Sequence, residues 1–257
     1  MTVLLIDVGN TALKWTTLEE PDNPRTIVHE GKTHFKDELF EEWNRLGPTR
    51  IIGCSVAAPS IAFSLTKYFN SHGYAWEWVN SQPVFECREF TLVNGYARAR
   101  QLGADRWFAA VGAISLGLKT PLLVVHTGTA TTVDSIALES PGSYRFIGGR
   151  IAPGPTLMKK ALMRDIPTLN TEMSEYRDFP ERTSEAIMTG IVDAQVGLIE
   201  RAREKMSACG PTPRTILAGG AARWLAPHVD AAIGDLTIRH NLVLRGLVEK
   251  AKAELKD

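Results

Sequence analysis

The sequence has 257 residues, 44% of them hydrophobic and 23% charged, which suits one large domain or two smaller ones with real cores. Lys plus Arg equals Asp plus Glu at 29 each, so no global basic field favours nucleic acid or a membrane surface. Three scattered cysteines, Cys54, Cys87 and Cys209, argue against a disulfide framework and a structural zinc site. Asp7 interrupts the short apolar run at the N-terminus, and no apolar segment approaches the roughly 18 residues of a membrane span. We therefore expect a cytoplasmic protein with neither nucleic acid nor a membrane as its partner.

The first half of the chain mixes strand and helix patterns. The run LLIDVGNTALKW at 4–15 predicts two strands joined at Gly9-Asn10, because glycine readily takes the positive φ that a tight turn demands. Further along, the patterns predict a buried strand, a helix, a short strand and a second helix, at 50–59, 60–71, 74–80 and from about Asp105 or Arg106.

The second half begins after Thr120-Pro121 with another strand, glycine turn and strand. It continues with a third strand, a helix from about Thr156, a long helix, a strand that enters a helix, and a charged closing helix. The long helix, the strand with its helix, and the closing helix are expected at 184–206, 214–227 and 247–257.

The two halves are related by an internal repeat with an offset of about 119 residues. It places Asp7 on His126, Gly9 on Gly128 and Asn10 on Thr129, each pair after an apolar strand. We expect duplicated α/β domains at 1–118 and 119–257, joined without a low-complexity linker and sharing a ligand cleft.

The DVGNT stretch at 7–11 is the first candidate for chemistry. The N–H groups of a glycine turn can surround a phosphate, and a strand-end carboxylate such as Asp7 can hold a hydrated Mg²⁺. The alternative is a tight hairpin with an ordinary strand-end aspartate, although the second copy, HTGTATT, lowers the odds of an accident.

GADRW at 103–107 is the second candidate. Asp105 could accept the proton of an attacking hydroxyl, or it could simply cap the following helix. Arg106 could hold an anionic substrate, or it could form a surface salt bridge. Tyr96 fits a half-buried ring with a wet hydroxyl, and Thr183 fits a helix N-cap.

Two further glycine motifs are weaker signals. GGRIAPG at 148–154 fits a sheet edge before a core helix whose apolar face would include Leu157, Ala161 and Leu162. LAGG at 217–220 joins a strand to a helix, where a nucleotide could approach the backbone or where the glycines could only serve packing. No GxxxxGK[ST] run and no protein-kinase motif set occurs in the sequence.

Together these stretches resemble the type III pantothenate kinase family, also called the Bvg accessory factor family. The resemblance runs in order over nearly the whole chain through DVGNT, SVAAP, GY, LGADRW, TGTATTVD, GGRIAPG with LM, RTSEAIMTG, LAGG and LVLRGL. It implies an α/β fold with duplicated ribonuclease-H-like halves of the acetate kinase/hsp70/actin type. It also implies ATP-dependent phosphorylation of pantothenate to 4′-phosphopantothenate, the first step of coenzyme A synthesis, by a homodimer that uses Mg²⁺ and K⁺ or NH₄⁺.

The resemblance also implies roles for individual residues. Asp105 resembles the family's catalytic base, and Asp7 its Mg²⁺-associated carboxylate. Pantothenate-pocket positions are matched by Tyr96, Gly103, Arg106 and Thr183, with Thr183 expected from the other subunit. ATP-binding positions are matched by Asp7, Val8, Gly9, Asn10, Thr11, Gly128, Thr129, Gly219 and Gly220.

Two positions depart from the family pattern. His126 replaces the usual aspartate associated with the monovalent cation, and imidazole is a softer ligand than K⁺ prefers. His126 could weaken the cation site, place its own charge near the phosphates if protonated, or bond a backbone carbonyl while other oxygens hold the cation. Arg98 replaces a common proline in the loop of Tyr96.

Two other functions are compatible with parts of the sequence. A non-catalytic regulator that keeps the kinase fold is the main alternative, supported by His126. A sugar or small-alcohol kinase of the wider superfamily is disfavoured by the GADRW and GGRIAPG motifs.

Overall fold

The computed structural model describes residues 2–33, 35, 37–169, 172 and 174–255. Its strands are β1 Val3–Val8, β2 Ala12–Thr17, β3 Arg25–Val28, β4 Arg50–Ser55, β5 Ala75–Trp78, β6 Val84–Glu86, β7 Thr91–Asn94, β8 Leu122–Thr127, β9 Ala130–Ser140, β10 Ser143–Pro153, β11 Arg214–Ala218 and β12 Leu236–Ile238. Its α-helices are α1 Asp37–Leu46, α2 Pro59–Ser71, α3 Ala104–Ile114, α4 Pro155–Asp165, α5 Thr183–Ser207, α6 Ala222–Ile233 and α7 Leu242–Glu254.

The chain divides into two compact units. Unit 1 comprises Met1–Lys119, Glu139–Phe146 and Asn241–Asp257, and unit 2 comprises Thr120–Leu138 and Ile147–His240. The segments 139–146 and 241–257 therefore group with the first part of the chain. The two domains predicted from the internal repeat, 1–118 and 119–257, stay a prediction.

Unit 1 is built around a sheet of order β3-β2-β1-β4-β5. β1 pairs antiparallel with β2 and parallel with β4, so the carboxyl ends of β1 and β4 lie together. The apolar side chains of β1, β2 and β4 pack against α1 and α2, with Trp43 and Phe69 among the largest buried residues. In the same unit, residues 143–146 of β10 pair with β7, and β7 pairs with β6.

Helices α3 and α7 of unit 1 cross at two glycines. A Cβ at Gly246 would lie 2.0 Å from the carbonyl oxygen of Phe108, and one at Gly112 would lie 2.1 Å from that of Leu242. Only glycine permits such an approach of two helix backbones. This crossing fixes α3, whose first turn carries Asp105 and Arg106.

In unit 2, the neighbouring strands of the sheet follow the order β12-β11-β8-β9-β10. β8 pairs antiparallel with β9 and parallel with β11. Its core combines these strands with α5 and α6 through residues such as Val125, Val192, Leu217 and Leu225, all of which are buried.

Both glycine hairpins predicted from the repeat are present, but their turns differ. We define the first glycine turn as Gly9–Thr11 and the second as Gly128–Thr129. The Gly9 N–H donates to the Ala12 carbonyl and the Gly128 N–H to the Ala130 carbonyl, each at 3.0 Å. The second turn is thus one residue shorter, and Thr11 has no counterpart in it.

The backbone conformation of these glycines differs from the positive φ predicted for the turn. Neither Gly9 nor Gly128 has a positive φ, so the expected left-handed turn is wrong. A Cβ at Gly9 would instead make a tight contact, 3.3 Å from the Ala12 carbonyl oxygen.

Several sequence-based boundaries shift in the structure. Helix α7 begins at Leu242, several residues before the predicted closing helix. Helix α4 follows the GGRIAPG strand as expected, but it buries none of its described residues, and Leu157 is 42% exposed. The prediction of α4 as a core helix is therefore wrong. Among the described residues, no helix combines the length and apolar character needed to cross a bilayer.

Candidate active site

Asp7 stands one residue before the end of β1, beside the first glycine turn. Its register partners are Lys14 on β2 and Cys54 on β4. The Cys54 thiol is fully buried and lies 3.9 Å from Asp7 Oδ1, at the limit of an S–H donor contact. The sheet therefore surrounds this carboxylate with one cation and one weak donor.

The surroundings of Asp7 disfavour the charged form of its carboxyl group. Burial raises the pKa of Asp7 to about 7, the positive charge of Lys14 opposes that rise, and the negative charge of Asp105 adds to it. Burial and the neighbouring carboxylates also raise the pKa of the Cys54 thiol, which keeps it protonated as a donor. Asp7 and Asp105 thus influence each other within unit 1, although 98 residues separate them in the chain.

Gly103 and Asp105 form a second element of the site, at the start of α3. Asp105 occupies the first turn of the helix, and Gly103 stands at the N-cap position. Asp105 Oδ1 accepts the N–H of Arg106 at 2.8 Å. Asp105 is therefore not the N-cap residue, because it lies two positions after Gly103, although its carboxylate does accept an N–H of the first turn.

Burial also perturbs Asp105. It raises the pKa of this carboxyl, while the Arg106 N–H and the Arg106 charge lower it by smaller amounts. A desolvated carboxylate with a raised pKa is a stronger proton acceptor than an exposed one, as a general base requires.

Arg106 is buried, so the alternative that places it in a salt bridge at the surface is wrong about its position. The residue is only 6% exposed, and its Nη1 donates to the Tyr96 hydroxyl at 3.0 Å. Its guanidinium carbon lies 5.8 Å from the centre of the Tyr96 ring and 5.7 Å from that of Phe146. These two rings pack edge to face, so the cation is held against a rigid aromatic pair.

The loop carrying Tyr96 is held by Asn94. The Asn94 side chain accepts the Tyr96 N–H at 3.0 Å and donates to the carbonyls of Gln82 and Ala99. Arg98 is exposed, and its carbonyl accepts the Gln101 N–H in a short 3₁₀ turn. These hydrogen bonds order the loop with arginine at position 98, where proline was expected from the family resemblance.

The residues of unit 1 suit a hydrated Mg²⁺. Asp7 supplies hard oxygen ligands, and Mg²⁺ commonly uses one or two carboxylates while water and phosphate complete its shell. No cluster of three or more metal-binding side chains occurs among the described residues. The Ser55 hydroxyl, next to Val8 in the register, is buried without a hydrogen-bond partner in the described chain, so a polar group remains unsatisfied there.

The second glycine turn in unit 2 is enclosed by other glycines. The Gly154 N–H donates to the Thr129 carbonyl at 2.9 Å, and a Cβ at Gly154 would lie 2.0 Å from the Gly128 carbonyl oxygen. A Cβ at Gly219, whose φ is +101°, would lie 2.2 Å from the Thr127 carbonyl oxygen. Motifs that looked weak in sequence therefore supply the glycines that shape this turn.

His126 stands at the position of β8 that corresponds to Asp7 on β1. It pairs with Thr132 on β9 and Ala218 on β11. A Cβ at Gly128 would lie 3.4 Å from His126 Cε1, so the imidazole runs alongside the second glycine turn.

Gly220 and Thr183 lie elsewhere in unit 2. Gly220 is exposed just before α6, with space around its Cα. Thr183 is the first residue of α5 rather than its N-cap, a position that Arg182 holds without a side-chain capping bond. Thr183 is exposed at one end of an apolar groove between α4 and α5 of about 820 Å³, lined by residues that include Met158, Leu162 and Ile187.

The structure thus groups the candidate residues within each unit. Unit 1 contains Asp7, Val8, Gly9, Asn10, Thr11, Tyr96, Gly103, Asp105 and Arg106, whereas unit 2 contains His126, Gly128, Thr129, Thr183, Gly219 and Gly220. Three residues that were not predicted as part of the site contact these residues from other strands: Cys54, Asn94 and Phe146. No local motif marks them, although Cys54 directly precedes SVAAP and Asn94 directly precedes GY.

Comparison with protein families gives one consistent answer. The family model described as type III pantothenate kinase matches residues 3–205. A type III pantothenate kinase from Polaromonas sp. (strain JS666 / ATCC BAA-500) is 36% identical over 260 residues, which cover 98% of both chains.

Solved structures support the predicted fold class. A conserved protein assigned to the Baf family of transcriptional activators, from Campylobacter jejuni, aligns with a TM-score of 0.63 and 20% identity over 99% of this chain and 100% of its own. A protein assigned as 2-dehydro-3-deoxygalactonokinase, from Sinorhizobium meliloti, aligns with a TM-score of 0.55 and 12% identity over 98% of this chain and 99% of its own. The acetate kinase/hsp70/actin type of fold is thereby confirmed.

Proposed function

Because the chain belongs to the type III pantothenate kinase family, we propose that it transfers the γ-phosphoryl group of ATP to pantothenate. The product would be 4′-phosphopantothenate, at the first step of coenzyme A synthesis. The observation that carries the proposal is the half-buried Asp105 carboxylate, which lies against Gly103 and is followed by Arg106 on the rings of Tyr96 and Phe146. A base and an anion-binding cation side by side are what phosphorylation of a hydroxy acid needs.

In the proposed reaction, the pantothenate hydroxyl oxygen forms a bond to the γ-phosphorus as the bond from that phosphorus to the ADP oxygen breaks. Asp105 accepts the hydroxyl proton, and the burial that raises its pKa favours this transfer. Arg106, held by Tyr96 and Phe146, would bind the pantothenate carboxylate and so orient the hydroxyl. Most of the rate enhancement in phosphoryl transfer comes from such positioning and from charge neutralisation.

The phosphates of ATP would bind against the backbone of the glycine turns, where glycine leaves room for them. Val8, Gly9, Asn10 and Thr11 would serve in unit 1, Gly128 and Thr129 would serve in unit 2, and Gly219 and Gly220 would contact the adenosine. Asp7 would hold Mg²⁺, which when bound neutralises phosphate charge. The free thiols Cys54, Cys87 and Cys209 fit the reducing cytoplasm in which this reaction would take place.

We also propose that the active form is a homodimer in which Thr183 of one chain completes the pantothenate pocket of the other. The apolar groove between α4 and α5, at whose end Thr183 lies, supports this assembly, because a second copy would cover exposed apolar surface there. Sedimentation should give a dimer, and Leu162→Glu in this groove should give monomers with little activity. A monomeric wild-type chain with full activity would contradict the assembly.

The function itself is tested by ATP-dependent phosphorylation of pantothenate with Mg²⁺, followed by the formation of ADP and of phosphopantothenate. Sodium-only buffer is compared with buffers containing K⁺ or NH₄⁺, and Asp105→Asn is the inactive control. Turnover with pantothenate but not with a panel of sugars and small alcohols would support this family's substrate over those of other kinases with the fold.

A non-catalytic regulator that retains the fold is the outcome to be excluded. Folded wild-type protein that shows no turnover in any of these buffers, with Asp7 and Asp105 intact, would favour that alternative.

A further inference from the structure

His29 is a buried imidazole that contacts the first glycine turn from the segment after β3. The residue is 5% exposed, and its ring packs edge to face on Phe35 at 5.7 Å between centroids. Its Nε2 lies 3.0 Å from the Gly9 carbonyl oxygen, and its Nδ1 lies 3.1 Å from the Gly31 nitrogen. Both ring nitrogens therefore have backbone partners.

These partners determine where the ring carries its proton. The Gly31 N–H can only donate, so Nδ1 must accept, and the Gly9 carbonyl can only accept, so Nε2 must carry the hydrogen. The two bonds together require the neutral imidazole protonated at Nε2.

The backbone of the same segment binds the other end of the turn. The N–H groups of His29 and Glu30 both donate to the Thr11 carbonyl, at 2.9 and 3.0 Å. The carbonyls of Gly9 and Thr11 are thus held from one side by two adjacent residues. Between them, Asn10 is exposed, and neither its N–H nor its side chain has a hydrogen-bond partner within the described ranges.

We propose that His29 is a positioning residue for nucleotide phosphate, acting through the Gly9 carbonyl on the first glycine turn. Holding that carbonyl on the inner side fixes the peptide between Gly9 and Asn10 and directs the Asn10 N–H outward to a phosphate oxygen. A donor contributes most to charge stabilisation when it is oriented before the ligand arrives. This inference rests on the proposed ATP-dependent function and adds a residue that lies outside the glycine motif.

Two substitutions separate the hydrogen bond from the packing. The amide nitrogen of His29→Gln can reach the place of Nε2 and donate to the Gly9 carbonyl. The shorter His29→Asn can replace only the acceptor Nδ1. Both variants remove the ring from Phe35 and both keep the backbone bonds to Thr11, so they form a matched pair.

We expect His29→Asn to raise the KM for ATP about five- to tenfold, the value of one lost hydrogen bond, and His29→Gln to stay within about twofold of wild type. The KM for pantothenate should be unchanged in both. Calorimetric binding of a non-hydrolysable ATP analogue should show the same difference without turnover. Equal effects of the two variants, or no effect of either, would overturn the inference.

The wild-type protein provides a second test that needs no variant. Nitrogen-15 spectra of the imidazole should place the proton of His29 on Nε2. A proton on Nδ1 would contradict the hydrogen bond from Nε2 to the Gly9 carbonyl. Failure of wild type to bind the analogue or to phosphorylate pantothenate would instead refute the proposed function itself.

Discussion

The Asp105 carboxylate occupies space that only a glycine at position 103 leaves open. An ideal Cβ on Gly103 would lie 2.6 Å from Asp105 Oδ1, well inside van der Waals contact. The backbone of Gly103 has φ −57° and ψ 138°, which any residue can adopt, so the requirement is one of space and not of conformation. Gly103 therefore acts on the candidate base directly.

Gly103→Ala should move the Asp105 side chain while leaving the fold intact. We expect kcat to fall about 10- to 100-fold with little change in the KM for ATP, because displacement of a base by about 1 Å is costly. Gly197→Ala on α5 is the matched control, since a Cβ there meets no atom within 4 Å. A Gly103→Ala enzyme with wild-type kcat would show that the space left by Gly103 for the Asp105 carboxylate has no catalytic role.

Asp105→Asn should lower the activity and raise the stability of the protein at pH 8. Loss of the base should lower kcat by about 10²–10⁴-fold. Burial raises the folded-state pKa of Asp105 above its unfolded value of 3.8, so the wild-type protein loses stability as pH rises from about 4 through that raised pKa. The asparagine variant lacks this loss and should be the more stable protein at pH 8, with the difference shrinking toward pH 4. Urea unfolding across this range measures it, and a variant less stable than wild type at pH 8 would contradict the effect of burial.

Arg106→Lys should impair pantothenate binding, because lysine keeps the charge but loses the planar group that packs on Tyr96 and Phe146. We expect the KM for pantothenate to rise about tenfold, the cost of one charge-assisted hydrogen bond, and Tyr96→Phe to have a smaller effect. Since the bond from Nη1 to the Tyr96 hydroxyl is lost in either variant, the two effects should not add in the double variant. Full additivity in steady-state kinetics would mean that this bond does not couple the two residues.

Gly246→Ala should destabilise unit 1 at the crossing of α3 and α7. Its Cβ would meet the Phe108 carbonyl at 2.0 Å, where backbone cannot yield cheaply, so we expect a loss of about 3 kcal/mol in the free energy of unfolding. Gly197→Ala, in a helix with open space around it, should instead be neutral or stabilising by up to about 1 kcal/mol. Equal denaturation midpoints for the two variants would show that the helices can separate freely.

His126→Asp should change the cation dependence of the reaction. Carboxylate oxygens suit K⁺ better than imidazole does, and the ring of His126 lies beside the second glycine turn. We expect K⁺ to activate the aspartate variant more strongly than wild type, as measured by initial rates in sodium and potassium buffers. Identical K⁺ responses would indicate that position 126 takes no part in cation binding.

Both hairpins and most of the described strands and helices could be predicted from the sequence, because apolar periodicity and turn residues act over short distances. The short strands β3, β6, β7 and β12 and the helix α1 were not predicted. The first glycine turn, with Asp7 before it, and the equivalence of Asp7 and His126 follow from motif and repeat alone, and the structure confirms both hairpins. The positive φ predicted for Gly9 is absent, and a Cβ there would instead meet the Ala12 carbonyl oxygen at 3.3 Å. Local sequence identifies a glycine but does not say which atom would collide with a side chain.

Only the tertiary structure decided what surrounds those motifs. It packs Arg106 against the rings of Tyr96 and Phe146 and brings the Cys54 thiol next to the Asp7 carboxylate. It also places the His29 ring within hydrogen-bond distance of the Gly9 carbonyl, 20 residues away in the chain. Such contacts depend on strand order and on the packing of elements distant in the chain, which leave no periodic signal in the sequence. The sequence by itself therefore determined the family and the chemical groups present. The fold decided how those groups are oriented and desolvated, because orientation and burial are properties of a packed chain and not of a motif.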